Sequence, residues 1–160
     1  MKHGLGSEHP LCDKIQLLMT IIFFVVWSAD SLNHFFFGYS TVLLDVLVFP
    51  ALIVGTLLSL CLSLFLISKS HKAVLGHDSP QFVDSGIYSW IRHPLYLGTL
   101  LFCLSFLFIS VSLVSVGIWV AFFIFYDRMA TYEEKNLVKL LGEQYISYQK
   151  RVSKWIPKVL

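Results

Sequence analysis

Two short polar clusters in an otherwise apolar chain carry residue types that do chemistry. The first is Arg92-His93-Pro94-Leu95-Tyr96, inside GIYSWIRHPLYLG at residues 86–98, and the second is Glu133-Glu134. An arginine is a permanent cation with a fork of donors, a histidine titrates near neutrality, and carboxylates accept from amines and hydroxyls. Such groups at a membrane surface usually serve a site, because ordering or burying them there is costly. Each also has a plain structural reading. Arg92 can anchor a helix at the headgroups and His93 can cap it, and carboxylates at 133 and 134 complement the dipole of a helix start. Neighbouring residues on a helix point about 100° apart, so Glu133 and Glu134 are expected to have different tasks, one toward a cavity and one toward water.

The elements that position these clusters follow from hydropathy. With 56% hydrophobic and only 14% charged residues in long uncharged runs, the chain reads as an integral membrane protein forming one domain over residues 1–160. Runs at about 15–37 and 41–67 are each long enough to cross a bilayer, the second with a kink expected at Pro50. Residues 68–92 form a polar connection. Proline is favoured at the first helical position, so a helix is predicted to begin at Pro94, with free N–H groups and Arg92 favouring an anion there. Gly98 permits close approach of a ligand or a neighbouring helix.

Residues 95–126 would reach about 48 Å as one helix at roughly 1.5 Å per residue, too long for one ordinary span. Two short tilted spans, 95–110 and 113–127, joined by a turn among Ser110, Ser112, Ser115 and Gly117, fit better. With four spans all twelve Lys and Arg residues fall on one side, which places both termini in the cytoplasm. The hairpin also returns Glu133 to the membrane face that carries Arg92. Beyond Arg128, residues 129–152 form an amphipathic helical region with a stripe at Leu137, Leu140, Leu141, Gln144, Tyr148 and Val152, broken at Gly142. Trp155 and Pro157 suit an interfacial end. The fold class is therefore all-α integral membrane: four transmembrane helices, the last two a short hairpin, plus a cytoplasmic amphipathic C-terminal helix.

Several functions are set aside. A net charge of +2 implies no nucleic-acid partner. Cys12, Cys61 and Cys103 are widely spaced, so neither a metal site nor a disulfide framework is expected. A signal-peptide cut after Ala29 would put Trp27 where a small residue is needed, and the chain closes without a prenylation motif. Asp30 and His34, spaced i, i+4, and Asp45 read as outer-interface structural residues, and His71 and His77 as solvated loop residues.

In combination the clusters resemble the isoprenylcysteine carboxyl methyltransferase family and its relatives, which include phospholipid N-methyltransferases. The resemblance spans residues 83–157. Its pattern G-x-Y-x-x-x-R-H-P-x-Y-x-G runs from Gly86 to Gly98, and E-E-x-x-L-x-x-x-x-G-x-x-Y-x-x-Y from Glu133 to Tyr148, with Trp155-Ile156-Pro157 closing. It implies S-adenosylmethionine as methyl donor, bound at the cytosolic face. Carried over residue by residue, it implies a pocket lined by Tyr88, His93, Pro94, Leu95, Tyr96, Glu133 and Glu134, with Gln81, Phe82 and Val83 beside the adenine. The chemistry is compatible: a carboxylate for Arg92, His93 or the helix N-terminus, an ammonium and ribose hydroxyls for Glu133, a sulfonium for the face of Tyr88 or Tyr96. The family's substrate-orienting arginine lies four residues before the Glu pair. Met129 stands there, with Arg128 one residue earlier, and Pro80 replaces a frequent histidine with His77 nearby. Arg92 and Arg128 are the candidate catalytic residues.

The function so implied is a methyltransferase for a lipophilic acceptor entering from the bilayer: the carboxylate of a prenylated cysteine, a phospholipid amine or another membrane-soluble small molecule. Two other readings compete. A membrane reductase with a nicotinamide cofactor shares a loosely similar hairpin and helix, and a non-catalytic scaffold would keep the fold alone.

Overall fold

The computed structural model describes residues 12–38, 42–43, 49–75 and 82–157. Five α-helices account for nearly all of them: α1 (Cys12–Phe37), α2 (Phe49–Leu75), α3 (Pro94–Ile109), α4 (Leu113–Leu141) and α5 (Glu143–Arg151). A 3₁₀ turn at Gly86–Ser89 precedes α3. The only ladder among the described residues is a two-residue antiparallel pair, Val42 opposite Ser112 and Leu43 opposite Val111, which ties the chain after α1 to the α3–α4 turn. Segments Lys14–His34, Phe49–Lys72 and Leu113–Leu141 are long and apolar enough to cross a membrane, and α3 is a shorter apolar helix. Apolar side chains such as Leu17, Leu18, Val25, Leu57, Leu58 and Leu62 face outward. A soluble protein would bury such faces, so the chain is an integral membrane protein with an all-helical fold.

The predicted hairpin forms. α3 begins at Pro94 in the first helical turn and ends before Ser110. Ser112 caps α4 by accepting from the Ser115 N–H at 3.2 Å, and Ser110 Oγ lies 2.7 Å from Ser31 Oγ of α1. These hydroxyls satisfy the donors and acceptors of a turn that the apolar surroundings cannot. Gly117, expected in the turn, lies inside α4.

The kink expected at Pro50 falls at the edge of the described residues, since Pro50 lies in the first described turn of α2 and residues 44–48 are outside them. Two boundaries differ from expectation. α2 runs on to Leu75, so Lys69, His71 and Lys72 are helical and the polar connection is shorter. No break separates a span at 127 from a helical region at 129: α4 continues for 29 residues, about 43 Å at roughly 1.5 Å per residue, to Gly142. Gly142 has φ +54°, which a side chain would disfavour, and there the chain turns into α5.

One core joins α1, α3 and α4. Tyr96, Leu100, Cys103 and Leu107 recur on one face of α3 and meet Phe122, Tyr126, Met129 and Ala130 of α4, with Phe23 of α1. Trp119 Nε1 donates to the Leu100 carbonyl at 2.9 Å across the hairpin. The other face of α3 lies against α2. Ser63 Oγ donates to the Gly98 carbonyl at 2.7 Å, and a Cβ on Gly98 would stand 2.8 Å from Ile67 Cγ1. Gly98 therefore serves a neighbouring helix. A second core, Leu137, Tyr145, Tyr148 and Val152 with Phe82, holds α5 to the end of α4. Of the predicted stripe, Leu140 and Gln144 are exposed, and Tyr145 takes a buried place instead. The glycine turn resets the helical phase, which a single continuous period cannot follow.

Candidate active site

Antiparallel packing of α3 and α4 sets His93, at the N-cap of α3, beside Glu133 and Glu134, about five turns into α4. The imidazole reaches both carboxylates. Its Nε2 is 3.0 Å from Glu134 Oε1 and its Nδ1 is 3.6 Å from Glu133 Oε2. Adjacent glutamates thus meet the same ring, although they face different surroundings. They diverge by about 100°, but the two nitrogens of one ring also diverge, so a ring wedged between them meets both. The His93 side chain makes no cap hydrogen bond to α3.

Glu134 is the more enclosed carboxylate. Besides His93, it faces Arg92 Nε at 3.0 Å and accepts from Gln149 Nε2 at 3.1 Å. Arg92 Nε is close to Glu134 but off the line of a hydrogen bond, while Arg92 Nη1 donates to the Gln149 carbonyl at 3.2 Å. Arg92 thus clamps the start of α3 to α4 and α5, and its side chain is only 12% exposed. Glu133 is twice as accessible as Glu134, 22% against 11%, and accepts from the Tyr96 hydroxyl at 3.2 Å. Arg92 is turned to Glu134, so Glu133, the more accessible carboxylate, has no arginine of its own among the described residues and is the one open to a cationic neighbour.

Aromatic rings fix the array from behind. Tyr96 stacks on His93 at 5.5 Å, nearly parallel, and Tyr126 lies 5.0 Å beyond Tyr96. Tyr96 is buried between these two rings and acts on the site through its hydroxyl. Tyr88 is half-buried, and its carbonyl accepts from the Tyr148 hydroxyl at 2.6 Å. Burial pushes the phenols of Tyr145 and Tyr148 well above their ordinary range, so both stay protonated donors.

The other predicted residues divide. Pro94 is fully buried and sets the helix start, and Leu95 is half-buried beside it. Phe82 packs edge-on against Tyr145 and Tyr148 at 5.5 and 5.1 Å, and Val83 follows it, half-buried. Gln81 lies outside the described residues, as do Asp45, His77 and Pro80. Arg128 is exposed and about 140° around α4 from Glu133, while Met129 is buried in the core. The structure therefore brings together Arg92, His93, Tyr96, Glu133 and Glu134 and leaves Arg128 apart.

Sequence reasoning missed Gln149, which faces Glu134 from the last turn of α5. It also missed Asp127, which accepts from Lys154 Nζ at 2.6 Å and Trp155 Nε1 at 2.9 Å. An acidic residue ending an apolar run, with a Lys-Trp pair downstream, was the available signal. Among the described residues, no group of histidine, cysteine and carboxylate side chains could hold a metal ion.

Comparisons with known proteins bear on the chain's family and fold. A family model described as the isoprenylcysteine carboxyl methyltransferase family matches residues 46–139, from before α2 to the last turns of α4. A protein-S-isoprenylcysteine O-methyltransferase of Xenopus laevis is 35% identical over 81 residues, covering 50% of this chain and 28% of that protein. A methanethiol S-methyltransferase of Pseudomonas sp. (strain GM41(2012)) is 34% identical over 91 residues, covering 51% of this chain and 30% of that protein. The matched part of the chain thus spans less than a third of either relative. The solved structure of a eukaryotic intramembrane Ras methyltransferase superposes with a TM-score of 0.61 at 20% identity, over 92% of this chain and 54% of that one.

Proposed function

Because this chain belongs to the isoprenylcysteine carboxyl methyltransferase family, we propose that it is a membrane-embedded methyltransferase that uses S-adenosylmethionine on a lipophilic acceptor. The observation that carries the reading is His93 held between Glu133 and Glu134 at the open end of the α3–α4 hairpin. The single membrane domain has four spans, with α3 and the apolar first half of α4 as the last two. Both termini and the array face the cytoplasm, in keeping with the one-sided placement of Lys and Arg.

The residues present fit the donor. When bound, S-adenosylmethionine supplies an electrophilic methyl carbon on a sulfonium. Glu133, the more accessible carboxylate, would hold the ammonium or ribose hydroxyls, with His93 and the Tyr96 hydroxyl fixing its orientation. Tyr88 is better placed than the enclosed Tyr96 to offer a ring to a cation. The first N–H groups of α3 suit the donor's carboxylate. Phe82 and Val83, with Gln81, would border the adenine, and Leu95 and Pro94 would shape the wall. Glu134 and Arg92 act by positioning His93 and α5. Arg128, on another face of α4, would meet only an acceptor approaching from that side. The chain supplies orientation and exclusion of water rather than a covalent intermediate. A carboxylate acceptor has no proton to remove, whereas an amine or thiol requires a base, for which Glu133 stands nearest the open side.

The acceptor is best read as the carboxylate of a prenylated cysteine, entering from the bilayer. A small thiol is a second reading, favoured by the match to the methanethiol S-methyltransferase over about half of the chain; a phospholipid amine follows. Calorimetry on the purified protein tests the donor: S-adenosylmethionine should bind saturably and NADPH should not, and the reverse would favour a reductase. Binding of neither would favour a scaffold. Labelled methyl donor offered with S-farnesylcysteine, a thiol or a phosphatidylethanolamine vesicle then ranks the acceptors.

A further inference from the structure

The segment after α5 is tied down on both sides. Lys154 Nζ makes three contacts with a single turn of α4: Asp127 Oδ1 at 2.6 Å, Thr131 Oγ1 at 2.8 Å and the Asp127 carbonyl at 3.0 Å. Trp155 Nε1 donates to the same Asp127 Oδ1 at 2.9 Å. On the other side, the Arg92 N–H donates to the Ser153 carbonyl at 3.0 Å, and Ile91 and Ser153 form a parallel bridge. The Trp155 ring then lies 6.0 Å from the His93 ring and 5.6 Å from Phe123. Residues 152–155 are therefore a strap between α4 and the start of α3, with its indole beside the imidazole.

An ordinary exposed ion pair adds little, because water competes for both partners. Here all three N–H donors of one ammonium find acceptors on α4, the Lys154 side chain is 19% exposed against 40% for Asp127, and the acceptor oxygen is shared with an indole N–H. The strap has no helix of its own, and on the α4 side these bonds hold Trp155 in place. Lys154 and Trp155 also lie beyond the residues matched by the family model.

We propose that Asp127 is a positioning residue: it latches the strap through Lys154 and Trp155 so that the indole covers His93 and keeps water from the His93–Glu133–Glu134 array. This rests on reading that array as the methyl-donor site. Released, the strap uncovers His93 and the donor binds less well, although Asp127 touches no reacting atom.

The test uses the full chain in nanodiscs as the unsubstituted protein, Asp127→Ala, Asp127→Asn and Trp155→Phe. Trypsin cleavage after Arg151 and Lys154 should be at least tenfold faster in Asp127→Ala, while cleavage after Lys69 and Lys72 should not change. Tryptophan emission should shift to the red, and the shift should be missing from Asp127→Ala/Trp155→Phe. Calorimetry should show S-adenosylmethionine affinity falling about tenfold, the scale set by losing a charge-assisted hydrogen bond. Asp127→Asn keeps an acceptor for the indole and should fall between, with intact folding. Unchanged cleavage at the strap in Asp127→Ala, or a freed strap with unchanged donor affinity, would overturn the proposal. If the unsubstituted protein binds no S-adenosylmethionine, the functional reading fails instead, and cleavage and emission still judge the latch.

Discussion

Replacing Glu134 by alanine removes the carboxylate that faces Arg92 Nε at 3.0 Å, His93 Nε2 at 3.0 Å and Gln149 Nε2 at 3.1 Å. The Arg92 guanidinium would remain nearly enclosed, with the Gln149 carbonyl as the acceptor on Nη1. Breaking a buried ion pair by removing one member costs about 3–5 kcal/mol, because the other charge is left uncompensated. Both side chains keep slight contact with solvent, 12% and 11%, so the lower end, about 3 kcal/mol, applies. Glu134→Gln keeps an oxygen acceptor and loses the charge. Charge-assisted bonds are roughly twice as strong as neutral ones, so about half the loss, ~1.5 kcal/mol, is expected. Unfolding in mixed micelles by added dodecyl sulfate, followed by helical circular dichroism, would measure both. Combining Arg92→Met with Glu134→Ala tests the cause. The double variant should recover about 2 kcal/mol relative to the sum of the single losses, since the stranded charge is gone. Losses that simply add, or a Glu134→Ala cost below about 1 kcal/mol, would refute the view of Glu134 as the counter-ion that holds α3 to α4 and α5.

Glu133→Gln separates the two carboxylates by function: S-adenosylmethionine affinity should fall about tenfold or more in calorimetry, while micelle unfolding changes by less than about 1 kcal/mol, because this carboxylate is the more open to ligand. Gly98→Ala should destabilise by about 1–3 kcal/mol, since its Cβ would meet Ile67 Cγ1 at 2.8 Å, and adding Ile67→Ala should remove the clash and make the two effects non-additive in the same unfolding assay. In a chain lacking its native cysteines, Ser89→Cys and Ser147→Cys should react with an impermeant maleimide from the cytoplasmic side and Phe37→Cys from the opposite side; labelling of all three from one side would exclude the four-span arrangement.

Much of the architecture was legible because it rests on local chemistry. Pro94 begins α3 since proline fits the first helical turn, and Gly142 ends α4 since only glycine readily takes its left-handed φ. The α3–α4 hairpin followed from length and charge placement, both of which act without knowledge of packing. Boundaries inside apolar runs were not legible. Nothing in hydropathy reveals that α4 passes through Asp127 without a break. The phase of the α5 stripe was lost at the glycine turn, which rotated Tyr145 inward in place of Gln144.

The sequence by itself determined a membrane chain, a hairpin and the residues Arg92, His93, Tyr96, Glu133 and Glu134, since hydropathy, proline position and motif spacing are properties of the chain taken in order. Only the tertiary structure decided how those residues are arranged. One imidazole wedged between two diverging carboxylates, an arginine turned to Glu134 and the Gln149 carbonyl, and a strap bound to Asp127 all depend on where side chains from separate helices converge. That convergence is set by the antiparallel register of α3 on α4 and by the turn at Gly142, which carry Glu133, Glu134, Gln149 and Trp155 to the one end where His93 stands.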